Sequence, residues 1–179
     1  MNRSDYATHA DFCAIFREQL DHLYLLALIL AGGEVIAEKC FLAAFDLCAA
    51  ESRVFKESAL SWSRRSVIKS AINFVLPAAC NSSRQHFASN RSDLSVHPDT
   101  LLKCVQDLPA FDRFVFVMSV LECYSDRECA LLLGCSYADI LPARIRAFQQ
   151  MSTQKENNYP SHSSGKQPYL VNADWLECG

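Results

Sequence analysis

The spacing of apolar residues between Phe111 and Leu121 constrains this chain more than any other feature. Phe111, Phe114, Val115, Met118 and Leu121 fall at i, i+3, i+4, i+7 and i+10, a set that only an α-helix gathers onto one side. The same period runs through residues 11–31, at Phe12, Ile15, Phe16, Leu20, Leu23, Ala27 and Leu30. It returns from Glu34 to Cys48 on Ile36, Ala37, Cys40, Phe41, Ala44 and Phe45, and again from about Ser58 to Leu76, with a stop expected near Pro77. Alternating apolar runs are few, and 179 residues hold only 5 glycines. The expectation is an all-α protein.

Breaks in the period divide the chain. "CNSSRQHFASNRSDLSVHPD" is rich in Ser and Asn and has the composition of a flexible linker. The segment after Met151, "STQKENNYPSHSSGKQP", reads as disordered and is followed by an apolar end, "YLVNADWLECG". The expected layout is a helical bundle over 8–79, a linker over 80–100, a smaller helical unit over 101–150 and a tail over 151–179. Within the smaller unit, Ser125 and Glu128 form a capping-box signature and Gly134 a stop, so that two short helices outline a helix-turn-helix. Pro142 would break a helix that began right after Ser136. Taking Asp139 as the N-cap instead puts Pro142 in the first turn and makes Leu141, Ile145 and Phe148 the buried stripe.

Several function classes are disfavoured. Nine cysteines include no C-x-x-C pair, and most lie in apolar runs, which suggests buried free thiols in a reducing compartment rather than a metal site. "LYLLALILA" is about half a membrane span, so no membrane insertion is expected. "MNRSDYATHADF" holds no signal core. The expected location is cytoplasmic. The five histidines lie apart, with His86, His97 and His162 in polar segments. There is no phosphate loop and no nucleophile motif. No catalytic residue, metal or cofactor is assigned, and an enzyme is not expected. A net charge of −3 disfavours strong DNA binding by this chain alone, because phosphate contacts supply most such affinity.

One basic cluster stands out. Arg64, Arg65 and Lys69 lie on the same expected helix as Trp62, an arrangement suited to phosphate contact and to stacking on an unpaired base. Two readings are open: that interface, or a solvated basic face with Trp62 packed in the core.

Several strings resemble the short two-domain, extracytoplasmic-function type of sigma-70 family RNA polymerase sigma factors, over about residues 12–150. "GEVIAEKCFLAAF" is similar to the family's A-E-D-L-V-Q-E-T-F-L-R-A-W helix, matching at Glu34, Phe41, Leu42 and Ala44, with aromatic Phe45 in register. "WSRRSVIKSAINF" resembles W-L-x-x-I-A-x-N from Trp62 onward. "LPAFDRFVFVMSVLECYSDRECALLLGCS" resembles the family's L-P-x-x-x-R segment and its first helix-turn-helix helix, matching at Leu108, Pro109, Arg113, Val115, Phe116, Ser125, Glu128, Ala130, Leu133, Gly134 and Ser136.

The resemblance implies a first domain that docks on core RNA polymerase through Glu34, Val35, Glu38 and Lys39 and engages the −10 promoter element through Trp62, Arg64, Arg65 and Lys69. It implies a second domain whose helix-turn-helix meets the −35 element through Ser136, Tyr137, Arg144 and Arg146. Core polymerase and promoter DNA are the implied partners, and an anti-sigma factor is a further one that the family allows. The departures are specific. Val35, Glu38 and Lys39 replace the family's acidic, Gln and Glu residues, and Pro142 and Ala143 replace its Lys and Ser in the recognition helix. They favour two rivals: a sigma-fold adaptor that no longer initiates transcription, and a helix-turn-helix packed for structure alone. A stand-alone helix-turn-helix regulator is a third, disfavoured by the low basic charge.

Overall fold

The computed structural model describes residues 5–51, 53–81 and 99–158. The described chain forms eight α-helices: α1 (His9–Glu18), α2 (Leu20–Ala31), α3 (Glu34–Ala50), α4 (Ala59–Asn81), α5 (Asp99–Gln106), α6 (Ala110–Phe116), α7 (Asp126–Leu133) and α8 (Tyr137–Asn158). No strand occurs among the described residues. An isolated bridge joins Tyr6 to Phe55, whose rings stack at 4.9 Å. Among the described residues no helix is long and apolar enough to cross a membrane. The region expected as a linker (His86 and His97 with it) lies outside the described residues between 82 and 98. So do residues 159–179, which hold His162 and the apolar end.

The helix expected over 11–31 is two helices. Thr8 starts α1 with a capping box, its hydroxyl accepting the Asp11 amide and the Asp11 carboxylate accepting the Thr8 amide. Gln19, at φ −106° and ψ 21°, leaves helical geometry and separates α1 from α2. The bend lets α1 bury Phe12 and Phe16 while α2 buries Leu23, Leu26, Ala27 and Leu30. Leu20, on the expected stripe, is left exposed at the bend. Gly32 closes α2 at φ 74°, a left-handed position that suits glycine.

α3 and α4 meet through small residues. α3 buries Ala37, Cys40, Ala44 and Cys48, and α4 buries Ser63, Ser66, Ser70 and Ala71 beside Val67 and Ile68. Such faces allow close helix approach, and Ser63 is accommodated there because its Oγ donates to the Ala59 carbonyl at 2.9 Å. Phe41 and Phe45 of α3 fold back onto Phe16 at 5.3 and 5.2 Å, edge to face. Ile36 turns outward instead. α4 does not stop at Pro77, and its backbone stays helical to Asn81.

α6 carries the second group of core residues. Phe114, Val115 and Met118 are fully buried, as the stripe requires, and Leu121 at its end is half exposed. The α6 backbone loosens into a π turn over Val117–Leu121, and Cys123 then takes φ 57°, the one non-glycine residue at positive φ among those described. Ser125 and Glu128 form the expected capping box, and Gly134 ends α7 at φ 64°.

Residues of both helical groups share one apolar cluster. Gln106 Nε2 donates to the Leu28 carbonyl at 3.3 Å. Arg113 is buried, and its Nη1 donates to the Gln106 carbonyl at 2.6 Å. The Arg113 guanidinium packs so tightly on Gly32 that a Cβ there would sit 3.1 Å from Nη1. Burial lowers the pKa of Arg113, with the Asp107 charge partly opposing the shift.

Candidate functional site

α4 brings Trp62, Arg65 and Lys69 onto one side by helical spacing, with Arg64 beside them. Lys69 Nζ stands 5.3 Å from the centre of the Trp62 ring, in cation–π range. Trp62 is neither fully in the core nor free of it: the ring packs against the apolar cluster, and its buried Nε1 has no hydrogen-bond acceptor. The ring is thus packed in part against the core, with Lys69 over its face.

Facing this part of α4 is the turn before α7. Together they line a cleft of about 380 Å³, with Trp62, Arg64 and Arg65 on one wall and Glu122, Tyr124 and Glu128 on the other. Arg64 Nη1 lies 3.7 Å from Glu122 Oε2. Burial raises the Tyr124 pKa, and the charges of Arg65 and Arg64 oppose that rise. Glu128 is held below the usual carboxylate range mainly by the Ser125 hydroxyl and amide, with Arg65 adding to the effect. The acidic wall was missed in the sequence, although the carboxylates of "ECYSDRE" were its available signal.

The residues expected to face polymerase are together on α3, and Glu34, Val35, Glu38 and Lys39 are all exposed. Val35 is 68% exposed and Leu42, two turns along, 62%, so apolar groups form much of this surface. On its flank, α3 and α4 enclose a groove of about 390 Å³ lined by Asp46, Leu47, Asn73 and Phe74, with buried Ser70 at its base. Ser70 Oγ has no partner. The sequence carried no sign of this groove beyond the small residues of the two helices.

The turn and helix after Gly134 differ from expectation. α8 starts at Tyr137 rather than after Asp139. Ser136 caps it: its hydroxyl accepts the Ala138 amide at 3.3 Å, and its amide donates to Asp139 Oδ2 at 3.1 Å. Pro142 is therefore inside the helix, and removes the amide that would have bonded to the Ala138 carbonyl. The buried face is Ile140, Ala143 and Ala147, whereas Leu141, Ile145 and Phe148 are 53%, 46% and 48% exposed. Ile140, Ala143 and Ala147 recur at i, i+3 and i+7, one face of the helix, and α8 turns that face to α6, where Phe114 and Val115 are fully buried.

Both α8 arginines are engaged. Arg144 donates through Nη1 and Nη2 to Asp126 at 2.7 and 3.1 Å. Arg146 donates through Nη2 and Nε to buried Asp112 at 2.6 and 3.0 Å. Ser136 is used as a cap. Of the residues expected to meet the −35 element, only Tyr137 projects outward with no bond of this kind, 64% exposed. α8 also continues past Met151 to Asn158, into the segment expected as a tail.

The expected thiols divide three ways. Cys40, Cys48 and Cys129 are buried, Cys13, Cys104 and Cys135 partly so, and Cys123 is exposed. Of the seven cysteines described, three are thus fully buried and three more partly so. Burial pushes the Cys40 and Cys129 thiols up to about 11. No cluster of metal-ligating residues occurs among the described residues. Neither a protein-family model nor a curated protein matches the chain.

Proposed function

We propose that the chain is a divergent sigma factor that directs promoter-specific initiation by binding core RNA polymerase and promoter DNA in the cytoplasm. In this reading α1–α4 are the domain that docks on polymerase through the outer face of α3. The α4 cluster then receives the unpaired strand of the −10 element. α7 and α8 are the helix-turn-helix of a second domain, directed at the −35 element. The reaction is binding and strand separation, with no covalent step: phosphate contacts and stacking offset the loss of base pairing.

The observation that best supports the reading is the α4 face itself. Trp62 with Lys69 at 5.3 Å, and Arg64 and Arg65 in the adjoining cleft, combine an aromatic platform with cations, the chemistry a single strand needs. A chain of net charge −3 would use that face only after polymerase has supplied most of the electrostatic attraction. An anti-sigma factor remains a compatible partner.

A second reading has its own observation. With Arg144 and Arg146 held by Asp126 and Asp112, α8 presents Tyr137, Leu141, Ile145 and Phe148 to solvent. An apolar stripe with its cations tied back suits a protein groove better than a DNA groove. This favours a sigma-fold adaptor that binds proteins without initiating transcription.

Run-off transcription with core polymerase and a promoter library separates the two. The sigma reading expects transcripts with the unmodified chain and their loss in Trp62→Ala and Arg64→Ala/Arg65→Ala variants. Polymerase binding with no transcript would establish the adaptor. Absence of both would overturn the sigma reading.

A further inference from the structure

We infer that the turn from Glu122 to Glu128 masks the α4 basic face within the same chain, its carboxylates occupying the place of a single strand's phosphates. The inference rests on the proposed role of α4 and adds its regulation. Glu122 meets Arg64 at 3.7 Å, and Glu128 and Tyr124 stand across the cleft from Arg65 and Trp62. An oligonucleotide would bring the same set of groups to this wall, namely anionic oxygens for the arginines and a ring beside the indole.

The contact is built to release. Arg64 is 42% and Glu122 16% exposed, and a single, partly solvated contact at 3.7 Å is weak and screened by salt. Trp62 Nε1, in the ring that lines the cleft, is buried and donates to nothing, an unsatisfied donor that disfavours the present arrangement. The masking turn also contains Cys123 at φ 57°, a conformation that side chains other than glycine adopt at a cost. The opposite side of the joint is tied more firmly. There Gln106 bonds to Leu28, and Arg113 is buried against Gly32. That side is the pivot, and the Glu122 side is the mouth.

The test uses the full chain and a fluorescent pool of random single-stranded DNA, read by anisotropy at low salt. Glu122→Arg should bind about fivefold more tightly than the unmodified chain, the factor that release of one weak ion pair allows. Glu18→Arg makes the same charge change on α1, away from the cleft, and sets the gain due to charge alone. A closing arm introduces Ser61→Cys, because Ser61 and Cys123 line the same cleft. Bridging the two with a cleavable bis-maleimide should abolish strand binding, and cleaving the bridge should restore it. The unmodified chain treated with the same reagent is the control.

Equal gains from Glu122→Arg and Glu18→Arg, together with full binding by the bridged protein, would overturn masking. Run-off transcription by the same proteins separates this failure from that of the sigma reading. If bridged and unbridged proteins transcribe equally, the sigma reading stands and masking falls. If Glu122→Arg alone gains strand binding but nothing supports transcription, masking stands and the sigma reading falls.

Discussion

The arginines of α4 and α8 are the same residue type put to opposite uses. Arg64 on α4 holds one carboxylate loosely, through a single contact at 3.7 Å. Arg144 and Arg146 on α8 each grip a carboxylate with two nitrogens, at distances down to 2.6 Å. Two parallel bonds fix a guanidinium in direction as well as position, and one loose contact does not. The α8 arginines therefore act as struts tying α8 to α6 and α7, while Arg64 of α4 is held by one loose contact only. A basic residue on a helix that resembles a DNA reader does not by itself mark a DNA contact. Its nearest carboxylate decides.

The strongest challenge to a division between the halves is the core they share. Phe114→Ala removes a fully buried ring from α6 and should cost about 3–5 kcal/mol. If the common apolar cluster makes the halves one cooperative unit, Trp62 fluorescence on α4 and far-UV circular dichroism should fall in one shifted urea transition. A Trp175→Phe background isolates the Trp62 signal. Two separated transitions would show that the halves unfold independently.

The pivot gives the next largest effect. Gly32→Ala places a Cβ 3.1 Å from Arg113 Nη1 at a φ of 74°. The left-handed conformation alone costs about 1–2 kcal/mol, and displacing Arg113 loosens its bond to the Gln106 carbonyl. Urea denaturation should show a loss of about 2 kcal/mol or more. Gly33→Ala, with open space around its Cβ, should differ little from the unmodified chain.

Arg146→Ala comes third. Asp112 is buried, and without Arg146 its carboxylate loses both bonds. Because Arg146 is itself 54% exposed, water enters and limits the loss to about 1–2 kcal/mol, below the cost of breaking a fully buried pair. Asp112→Asn/Arg146→Ala should recover part of the loss, since no buried charge is then left behind.

How far the sequence disclosed this depended on the range of each interaction. The helices were legible because their periods are local, as were the Ser125 cap and the Gly134 stop, which use neighbours within a few residues. The start of α8 was not. Ser136 and Asp139 are both credible caps, and Pro142 argues for the later one on local grounds. The structure accepts the proline inside the helix and gains the packing of Ile140, Ala143 and Ala147. That choice depends on packing against α6, more than 20 residues away in sequence, and it turned Leu141, Ile145 and Phe148 outward. The partners of Arg144 and Arg146 lie 18 and 34 residues off, beyond any local pattern. The α4 cluster was legible because one helix holds it, while its acidic counterpart comes from the other half of the chain.

The Ser125 cap tests whether the second group has electrostatic support of its own. Ser125→Ala removes the acceptor of the Glu128 amide and should cost about 1 kcal/mol. The Glu128 pKa is lowered from 4.5 in the folded chain, so its stabilising effect is complete above that value and is lost as pH falls through the folded pKa. The gap between Ser125→Ala and the unmodified chain should therefore be constant near neutrality and narrow in acid. Paired urea titrations across that range measure it.

The smallest effect on stability is the one that sharpens the comparison most. Arg64→Ala breaks only one loose contact between side chains 42% and 16% exposed, so the expected change is at most about 0.5 kcal/mol. Glu122→Gln should be equally mild, because it removes the charge of the less exposed partner and leaves Arg64 open to water. Set beside Arg146→Ala, the pair yields a ratio that does not depend on the function of either helix. A loss at Arg64 as large as that at Arg146 would mean that α4's arginine is also a strut, and the distinction between the two helices would fail. A near-zero loss with altered strand binding would show that the chain keeps Arg64 for a contact outside its own fold.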